Sequence, residues 1–312
     1  MKSLTIRPLL NNNDWQTAMA VRATFHPEFP FSIEEYQAND ATFEGKIHQR
    51  RLICQGDEIV GMYVFAEAFF YAEPKSFIGQ VISFPDRLDV FRFGYGEIAK
   101  LAQDHEAHLV NTGVEDRREE IVEIAREFGY KTKQQQKVSQ LDVCRFNLVN
   151  DQLDFDIVSL SELKLMRPDT WLHEFWRLEM DLLRDVPMTG EFKEDPIDLF
   201  EKFIGMPGFD HDGVFLALVQ GNLAGVSSLA PSLVEPKIGI TALTGVRREY
   251  RRKGIARALK IVSINWGKMK GVGSVITDNE EKNPMYQLNE QLGFRQIFNQ
   301  LVMVWDRTPA EG

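Results

Sequence analysis

The sequence has few of the residues that cross-link a fold or bind a structural metal. Only 2 of its 312 residues are cysteine and 6 are histidine. Cys54 and Cys144 are too few for a disulfide framework or a cysteine zinc site, and the histidines show no ligand spacing. We therefore expect two free thiols and no bound metal.

Long apolar runs and an excess of positive charge are also missing. No hydrophobic stretch reaches the roughly 20 residues of a membrane span, and the N-terminus lacks the apolar segment of a signal peptide. The formal net charge is −10, which argues against a general nucleic-acid binder. We expect a cytoplasmic protein with no membrane or nucleic-acid partner.

Apolar residues, in contrast, are sufficient for well-packed cores. They make up 44% of the chain, aromatic residues make up 11%, and the length suggests two domains. Three short segments recur in the same order, at spacings of 164, 160 and 164 residues: Glu58 to Gly61 with Asn222 to Gly225, Gly94 to Gly96 with Gly254 to Ala256, and Phe128 to Tyr130 with Leu292 to Phe294. The sequence therefore predicts two copies of one domain fold, in residues 1–150 and 151–312. A short linker around Leu148 to Leu153 would join them.

Within this acidic chain, basic residues cluster between an apolar strand pattern and a helix pattern. The strand covers Ile238 to Val246, and the helix pattern begins at Ala256. A glycine-containing basic loop at a helix N-terminus is suited to phosphate, because the free N–H groups and the helix dipole favour an anion. Gly254 leaves room for close approach of the backbone.

Arg251-x-x-Gly254-x-Ala256 fits the pattern Arg/Gln-x-x-Gly-x-Gly/Ala. In this setting it resembles the acetyl-CoA pyrophosphate loop of the GCN5-related N-acetyltransferase (GNAT) superfamily. The resemblance covers roughly residues 157–306 and includes the later strand Ser274 to Thr277, then Asn279, Asn283 and Leu292-Gly293-Phe294. It implies an α/β (α+β) fold of two tandem GNAT-like domains, each a mixed, splayed β-sheet flanked by helices.

The resemblance also implies acetyl-CoA as a cosubstrate and a set of residues that bind it. The loop would supply backbone donors to the pyrophosphate, from Arg251, Arg252, Lys253, Gly254, Ile255 and Ala256. Thr244, Gly245 and Val246 would face the pantetheine arm, and a backbone N–H near Val246 would polarise the thioester carbonyl. Asn279 and Asn283 either hydrogen-bond the pantetheine or, for Asn283 before Pro284, cap the last helix.

The catalytic residues depart from the commonest family pattern. Many members place a tyrosine four residues before the glycine of the Leu-Gly-Phe motif to protonate the departing thiolate, whereas this chain has Asn289 there. Tyr286, one helical turn earlier, could replace it, or the proton could come from solvent or from the substrate ammonium. Candidate general bases lie in the acceptor loops and suggest a cationic acceptor: Asp181, Asp185, Glu191, Glu194 and Asp195.

The first copy carries a weaker version of the loop. Phe91 stands at the position of the first Arg/Gln, before Gly94-Tyr95-Gly96. Fewer cations predict weaker phosphate binding, so we interpret residues 1–150 as a degenerate domain. Because two copies lie in one chain, we expect a monomer with pseudo-dimeric pairing of its domains.

Together these patterns predict an N-acetyltransferase active in residues 151–312. The reaction would be direct transfer of an acetyl group to a primary amine of a small molecule or peptide. Two alternatives stay open at this point. One is a non-catalytic CoA-binding or regulatory protein, which the missing tyrosine favours; the other is an acyltransferase with a different acyl group or acceptor.

Overall fold

The computed structural model describes residues 2–146 and 154–307. The predicted linker, and with it the boundary at residue 150, lies outside these residues, so the division into 1–150 and 151–312 stays a prediction. The chain forms two compact units. Among the described residues, the first comprises 2–137, 188–193 and 298–307, and the second comprises 138–146, 154–187 and 194–297.

The first unit is a mixed sheet with helices. Its elements are β1 (Leu4–Arg7), α1 (Asn12–Phe25), α2 (Ile33–Ala41), β2 (His48–Gln55), β3 (Glu58–Glu67), β4 (Ser76–Ser83), α3 (Leu88–Asp104), β5 (Leu109–Glu115), α4 (Glu119–Glu127) and the start of β6 (Lys131–Asp142). The strand order is β1-β2-β3-β4-β5, followed by the last strand of the chain, β12 (Arg295–Asp306). Only β4 and β5 are parallel among the strand pairs described here.

The second unit repeats this plan. Its elements are β7 (Asp156–Ser159), α5 (Leu160–Met166), α6 (Trp171–Leu183), α7 (Ile197–Ile204), β8 (Val214–Val219), β9 (Asn222–Pro231), β10 (Ile238–Val246), α8 (Ile255–Met269), β11 (Ser274–Glu280) and α9 (Pro284–Gln291). The order is β7-β8-β9-β10-β11, with β6 next to β11. The pair β10 and β11 is parallel, and the pairs from β7 to β10 are antiparallel.

The repeated glycines hold equivalent places in the two sheets. A Cβ atom on Gly61 would lie 2.8 Å from the Ile82 carbonyl oxygen, and one on Gly225 would lie 2.7 Å from the Gly245 carbonyl oxygen. Both distances are shorter than a carbon–oxygen contact allows, so each position needs glycine for the next strand to pack. The predicted α/β (α+β) fold of mixed sheets flanked by helices is confirmed.

The predicted loop of the first copy is wrong. Helix α3 begins at Leu88, so Phe91 to Gly96 lie inside the helix and not ahead of it. Phe91 is fully buried, with its ring 5.4 Å from that of Phe25. A Cβ on Gly94 would lie 2.7 Å from Val81 Cγ1. This glycine therefore serves the packing of α3 on β4, and not the approach of a ligand.

Candidate cofactor and active site

The second unit contains a splay between its two parallel strands. The register of β10 with β11 ends at the pair Ile240 and Ile276, although β10 continues to Val246 and β11 to Glu280. The pairing of β10 with β9 is also irregular between Thr241 and Thr244. The strands thus diverge where the family resemblance places the pantetheine arm, and backbone groups of both edges become available to a ligand.

The segment after β10 prepares an exposed helix N-terminus. Arg252 and Gly254 adopt left-handed backbone conformations, with φ of 61° and 78°. Helix α8 then begins at Ile255, and its N-cap residue Gly254 supplies no side-chain hydrogen bond. The N–H groups of the first turn have no intrahelical partner, so they remain available to an anion. A Cβ on Gly254 would have no atom within 4 Å, so the space beside this glycine is open.

A cavity of about 740 Å³ joins the splay to this helix start. Of the predicted cofactor residues, nine line it: Thr244, Gly245, Val246, Arg251, Arg252, Gly254, Ile255, Ala256 and Asn283. Lys253 and Asn279 are not among the lining residues. The cavity wall also includes residues that the sequence analysis did not select: Leu182, Val186, Leu243, Tyr250, Arg257, Met285 and Leu288. Arg257 directly follows the glycine-containing motif, which could have indicated it; the apolar residues carry no such signal.

Two acidic residues near the end of α6 pair with the basic loop. Asp185 accepts hydrogen bonds from Arg248 Nε at 3.1 and 3.2 Å and from the guanidinium of Arg251. Arg248, and after it Arg251, hold the pKa of Asp185 down to about 2 against the opposing effect of burial. Asp181 pairs with Arg247 at 2.9 Å. Both candidate bases are therefore ion-paired carboxylates, and the lowered pKa of Asp185 leaves it little tendency to take a proton.

The loop arginines are also tied to the backbone. Arg251 Nε donates to the Val246 carbonyl oxygen at 2.8 Å, and Arg247 donates to the Leu223 carbonyl oxygen at 2.9 Å. Lys253 is exposed, with its Nζ 5.6 Å from the centre of the Tyr250 ring. The side chains of Arg247 and Arg251 thus fix the loop shape, while Arg252 and Lys253 leave positive charge at the surface.

A chain of hydroxyl groups stands behind the cavity wall. Thr244 Oγ1 lies 3.0 Å from Ser227 Oγ, which lies 3.2 Å from Ser263 Oγ. Ser263 Oγ donates to the Lys260 carbonyl oxygen at 3.0 Å. Because Ser263 has one hydroxyl proton, it accepts from Ser227, and Ser227 in turn accepts from Thr244. The chain therefore anchors Thr244 and orients its hydroxyl away from the cavity.

The predicted residues of α9 have separate roles. Asn283 caps α9 by accepting from the Met285 N–H at 3.0 Å, as one of the two interpretations expects. Asn289 is buried and donates to Asn279 Oδ1 at 2.5 Å, which ties α9 to β11. The Tyr286 hydroxyl donates to Glu290 at 3.1 Å, and Tyr286 does not line the cavity. The structure brings Asn279 and Asn289 together, but it does not bring Tyr286 to them.

Three ionisable groups with displaced pKa values lie elsewhere in the second unit. Burial raises the pKa of Glu179, on α6, to about 8. Burial lowers the pKa of Lys260, on α8, to about 8 despite the nearby Asp278. The protein packed around Asp278 raises the pKa of its carboxyl group, although the residue is exposed at the surface. None of the three stands out in the sequence, because each resembles an ordinary surface charge in an amphipathic element.

Comparisons with known proteins agree with this geometry. Residues 172–294 match the model of the acetyltransferase (GNAT) family. Residues 172–294 therefore contain a GNAT domain. No curated protein matches the sequence. Solved structures share its fold along nearly their whole length, and together with the family match they support the predicted membership of the superfamily.

Two of these solved structures illustrate the likeness. A tandem GNAT protein from the clavulanic acid biosynthesis pathway superposes with a TM-score of 0.75 at 18% identity, covering 99% of this chain and 100% of its own. A GCN5-related N-acetyltransferase from Sphaerobacter thermophilus gives 0.72 at 14% identity, with 97% and 95% covered. At these identities the structures establish a shared tandem fold. With the family match, they support an acyltransferase of the acetyltransferase type.

Neither a metal centre nor a membrane segment is found in the part of the chain that the structure describes. Among residues 2–146 and 154–307, no group of three or more His, Cys, Asp or Glu side chains could hold a metal ion. No helix within these ranges is long and apolar enough to span a bilayer.

Proposed function

We propose that this tandem GNAT protein is an acetyl-CoA-dependent N-acetyltransferase whose second unit binds the cosubstrate and carries out the reaction. The observation that carries the proposal is the cavity that runs from the strand splay to the uncapped start of α8. Its two ends match the two ends of acetyl-CoA. The splayed strand edges suit the amide-bearing pantetheine arm, and the helix N-terminus suits the pyrophosphate.

The binding residues follow from this placement. Backbone N–H groups at Gly254, Ile255 and Ala256 receive the pyrophosphate, while the charges of Arg252 and Lys253 attract it. Thr244, Gly245 and Val246 present the strand edge, and the N–H of Val246 polarises the thioester carbonyl. Asn283 holds the start of α9 against the cavity, and Asn279 and Asn289 hold β11 and α9 together.

The acyl transfer itself is a direct displacement. The nitrogen of a neutral primary amine attacks the thioester carbon, a C–N bond forms, and the C–S bond breaks to release the CoA thiolate. In this proposal the thiolate takes a proton from solvent or from the substrate nitrogen. Tyr286 is the predicted substitute acid, and Asn289, at the position of the usual tyrosine, can donate only a hydrogen bond. Their donor groups bind Glu290 and Asn279, which favours the other proton sources.

The acceptor is a cationic amine of a small molecule or peptide in this proposal. Such an acceptor fits the acidic composition of the chain, which has 46 acidic and 36 basic residues. The cytoplasmic location and the monomeric state are predictions on which the proposed chemistry does not depend.

Calorimetric titration with acetyl-CoA, followed by turnover against a panel of primary amines, tests the function. One site per chain together with acetylation of at least one amine is the expected result. Binding without turnover on any amine would favour the regulatory alternative, and turnover with another acyl-CoA alone would favour a different acyltransferase. Absence of acetyl-CoA binding would remove the basis for the cofactor assignment.

A further inference from the structure

The end of α6 forms one wall of the cofactor cavity. Leu182, Asp185 and Val186 all line the cavity, and residues three and four positions apart share one face of a helical turn. The Asp185 N–H donates to the Leu182 carbonyl oxygen at 3.0 Å, so the chain continues as a turn beyond the helix. Asp185 pairs with the basic loop, whereas Leu182 is buried, with 4% of its surface exposed. The wall therefore has a charged part beside the loop and an apolar part at Leu182.

Leu182 packs directly on the splayed strand β10. A Cβ atom on Gly245 would lie 3.0, 3.2 and 3.3 Å from Cδ1, Cδ2 and Cγ of Leu182. Carbon atoms in optimal contact are about 3.5–4.0 Å apart, so the leucine side chain occupies space that a larger residue at position 245 would need. Gly245 has no positive φ, so its backbone conformation does not require glycine. This glycine instead lets Leu182 close on the strand at a point that lines the cavity.

Leu182 and Gly245 meet next to the proposed position of the thioester. The Arg247 N–H donates to the Ala224 carbonyl oxygen of β9 at 2.8 Å. Because successive N–H groups of a strand point to opposite sides, the N–H of Val246 points away from β9 and towards the splay. A thioester carbonyl bound to it places the acyl group beside Gly245, since neighbouring Cα atoms are about 3.8 Å apart. Leu182 thus stands where a longer acyl chain would extend.

We infer that Leu182 limits the acyl donor to acetyl-CoA. Its two methyl groups fill the space over Gly245 that the additional carbons of a propionyl or butyryl group would occupy, whereas acetyl has no carbon beyond its methyl group. This selection rests on the proposed function, and Leu182 is the residue that sets the acyl length. One methylene changes the discrimination by a hydrophobic pocket by about 10- to 200-fold, so the two further methylenes of butyryl should cost at least about 100-fold in kcat/KM.

Leu182→Ala tests this inference, with Leu178→Ala as the matched control. Leu178 is fully buried one turn earlier on the same helix and does not line the cavity, so both changes remove the same atoms from the core. Butyryl-CoA is compared with acetyl-CoA in two measurements: the dissociation constants by calorimetry, and kcat/KM with an amine that the wild type acetylates. Leu182→Ala should reduce the kcat/KM preference for acetyl-CoA from about 100-fold to less than about 10-fold, and bring the two dissociation constants within about threefold. Leu178→Ala should keep the wild-type preference.

A second change in the same contact acts in the opposite direction. In the double variant Leu182→Ala/Gly245→Ala, the methyl group added at position 245 refills part of the space that the leucine side chain leaves. The double variant should therefore regain at least about threefold of the preference for acetyl-CoA, which a general loosening of the fold would not produce. If Leu182→Ala does not bind acetyl-CoA, Leu182→Val replaces it. This variant removes one methylene and should lower the preference for acetyl-CoA over propionyl-CoA.

The outcomes separate this inference from the function on which it rests. A Leu182→Ala variant that binds acetyl-CoA but keeps the wild-type preference overturns the role of Leu182 and leaves the acetyltransferase in place. Equal use of butyryl-CoA and acetyl-CoA by the wild type also overturns that role. If the wild type binds acetyl-CoA but acetylates no amine, the proposed function fails, whereas the dissociation constants still test Leu182. Absence of acyl-CoA binding by the wild type removes both.

Discussion

The two units share a plan but differ at the junction that makes a cofactor site. Eight residues, 247–254, separate β10 from α8, whereas four residues, 84–87, separate β4 from α3. The longer connection includes two left-handed residues and ends in an open glycine. The shorter one ends at Arg87, whose guanidinium pairs with Asp89 at 2.9 Å. The candidate phosphate site thus lies in a strand–helix connection that is four residues longer than its counterpart in the first unit.

The splay between the parallel strands differs in the same way. In the first unit the register of β4 with β5 ends at Ile78 and Asn111. Two residues further on, Gln80 donates to the Gly113 carbonyl oxygen and accepts from the Gly113 N–H, both at 3.0 Å. Its side-chain amide thus satisfies the backbone groups that a ligand amide would meet. In the second unit Ala242 and Asp278 hold these positions, and the methyl group of alanine cannot form such a bridge.

The ends of the diverging strands complete the comparison. Glu115, the last residue of β5, is fully buried and bonded to His26 at 3.1 Å, Arg117 at 2.7 Å and Arg118 at 2.9 Å. Glu280, the last residue of β11, is partly exposed and accepts from the Lys282 N–H. In the first unit the end of the diverging strand therefore forms a buried ion cluster that stabilises the fold. In the second unit the equivalent strand end remains partly exposed.

Gly254→Asp should have the largest effect, a loss of measurable acetyl-CoA binding. The change forces a non-glycine residue to a φ of 78° and sets a negative charge against the helix start that would receive the pyrophosphate. Gly221→Asp is the matched control, because Gly221 has a φ of 79° and equally open space in a hairpin turn of the same unit. Titration calorimetry measures the acetyl-CoA affinity of both variants. An equal loss of affinity in both would indicate backbone strain as the cause, and an unchanged affinity in Gly254→Asp would refute the assignment of the site.

Glu115→Gln should destabilise the protein near neutral pH by about 3 kcal/mol. Burial alone would raise the pKa of Glu115, but hydrogen bonds from His26, Arg117 and Arg118 outweigh it and lower the pKa from 4.5 to about 2. A carboxylate with a lowered pKa in the folded state contributes stability above pH 4.5, and this contribution is lost as the pH falls toward 2. The difference between wild type and variant in denaturant unfolding should therefore shrink in acid.

The control for this prediction is Glu119→Gln, an exposed change in the first turn of α4 that should alter stability by less than about 0.5 kcal/mol. A pH-independent difference between wild type and Glu115→Gln would mean that packing, and not the ion cluster, accounts for the stability. No difference at neutral pH would contradict the contrast between the sealed and open strand ends.

Gln80→Ala should cost about 1–2 kcal/mol of stability, because it removes the two hydrogen bonds to Gly113 and leaves the Gly113 N–H and carbonyl without that partner. We expect it to leave acetyl-CoA stoichiometry at one per chain, since the short loop of the first unit still offers no phosphate site. Gln103→Ala, an exposed change on α3, controls for the loss of a glutamine. A second acetyl-CoA site in Gln80→Ala would show that this side chain alone closes the first splay.

The sequence predicted the parts of this contrast that rest on local chemistry. The basic loop, the helix after it and the glycines at 61 and 225 follow from residue type and spacing, and the structure places them as expected. The glycines at 94 and 96 misled the prediction because a short Gly-x-Gly match does not record where a helix begins. The helix start at Leu88 is fixed by the packing of Phe91 and Gly94 against β4 and α1, which is a tertiary effect.

The missed residues have a similar explanation. Gln80 and Glu179 are polar side chains in an ordinary strand and helix, and only their surroundings make them notable. A glutamine that bridges two diverging strands is recognised by its partner Gly113, which is 33 residues away in sequence. A glutamate without an ion-pair partner is recognised by the absence of positively charged side chains around it. Neither property can be predicted from the spacing of residue types along the sequence.

Asp185→Asn should have the smallest effect, an increase in acetyl-CoA affinity of about threefold to fivefold. The aspartate lines the cavity and occupies the guanidinium groups of Arg248 and Arg251, so its carboxylate competes with a phosphate for the same cations. Exposed ion pairs contribute little free energy, typically below about 1 kcal/mol, which limits the gain. Asp181→Asn is the control, because its partner Arg247 does not line the cavity. If Asp185→Asn alone binds acetyl-CoA more weakly, the carboxylate does not compete with the phosphate. It would instead hold Arg251, and through Arg251 the Val246 carbonyl, in the conformation that the cofactor needs.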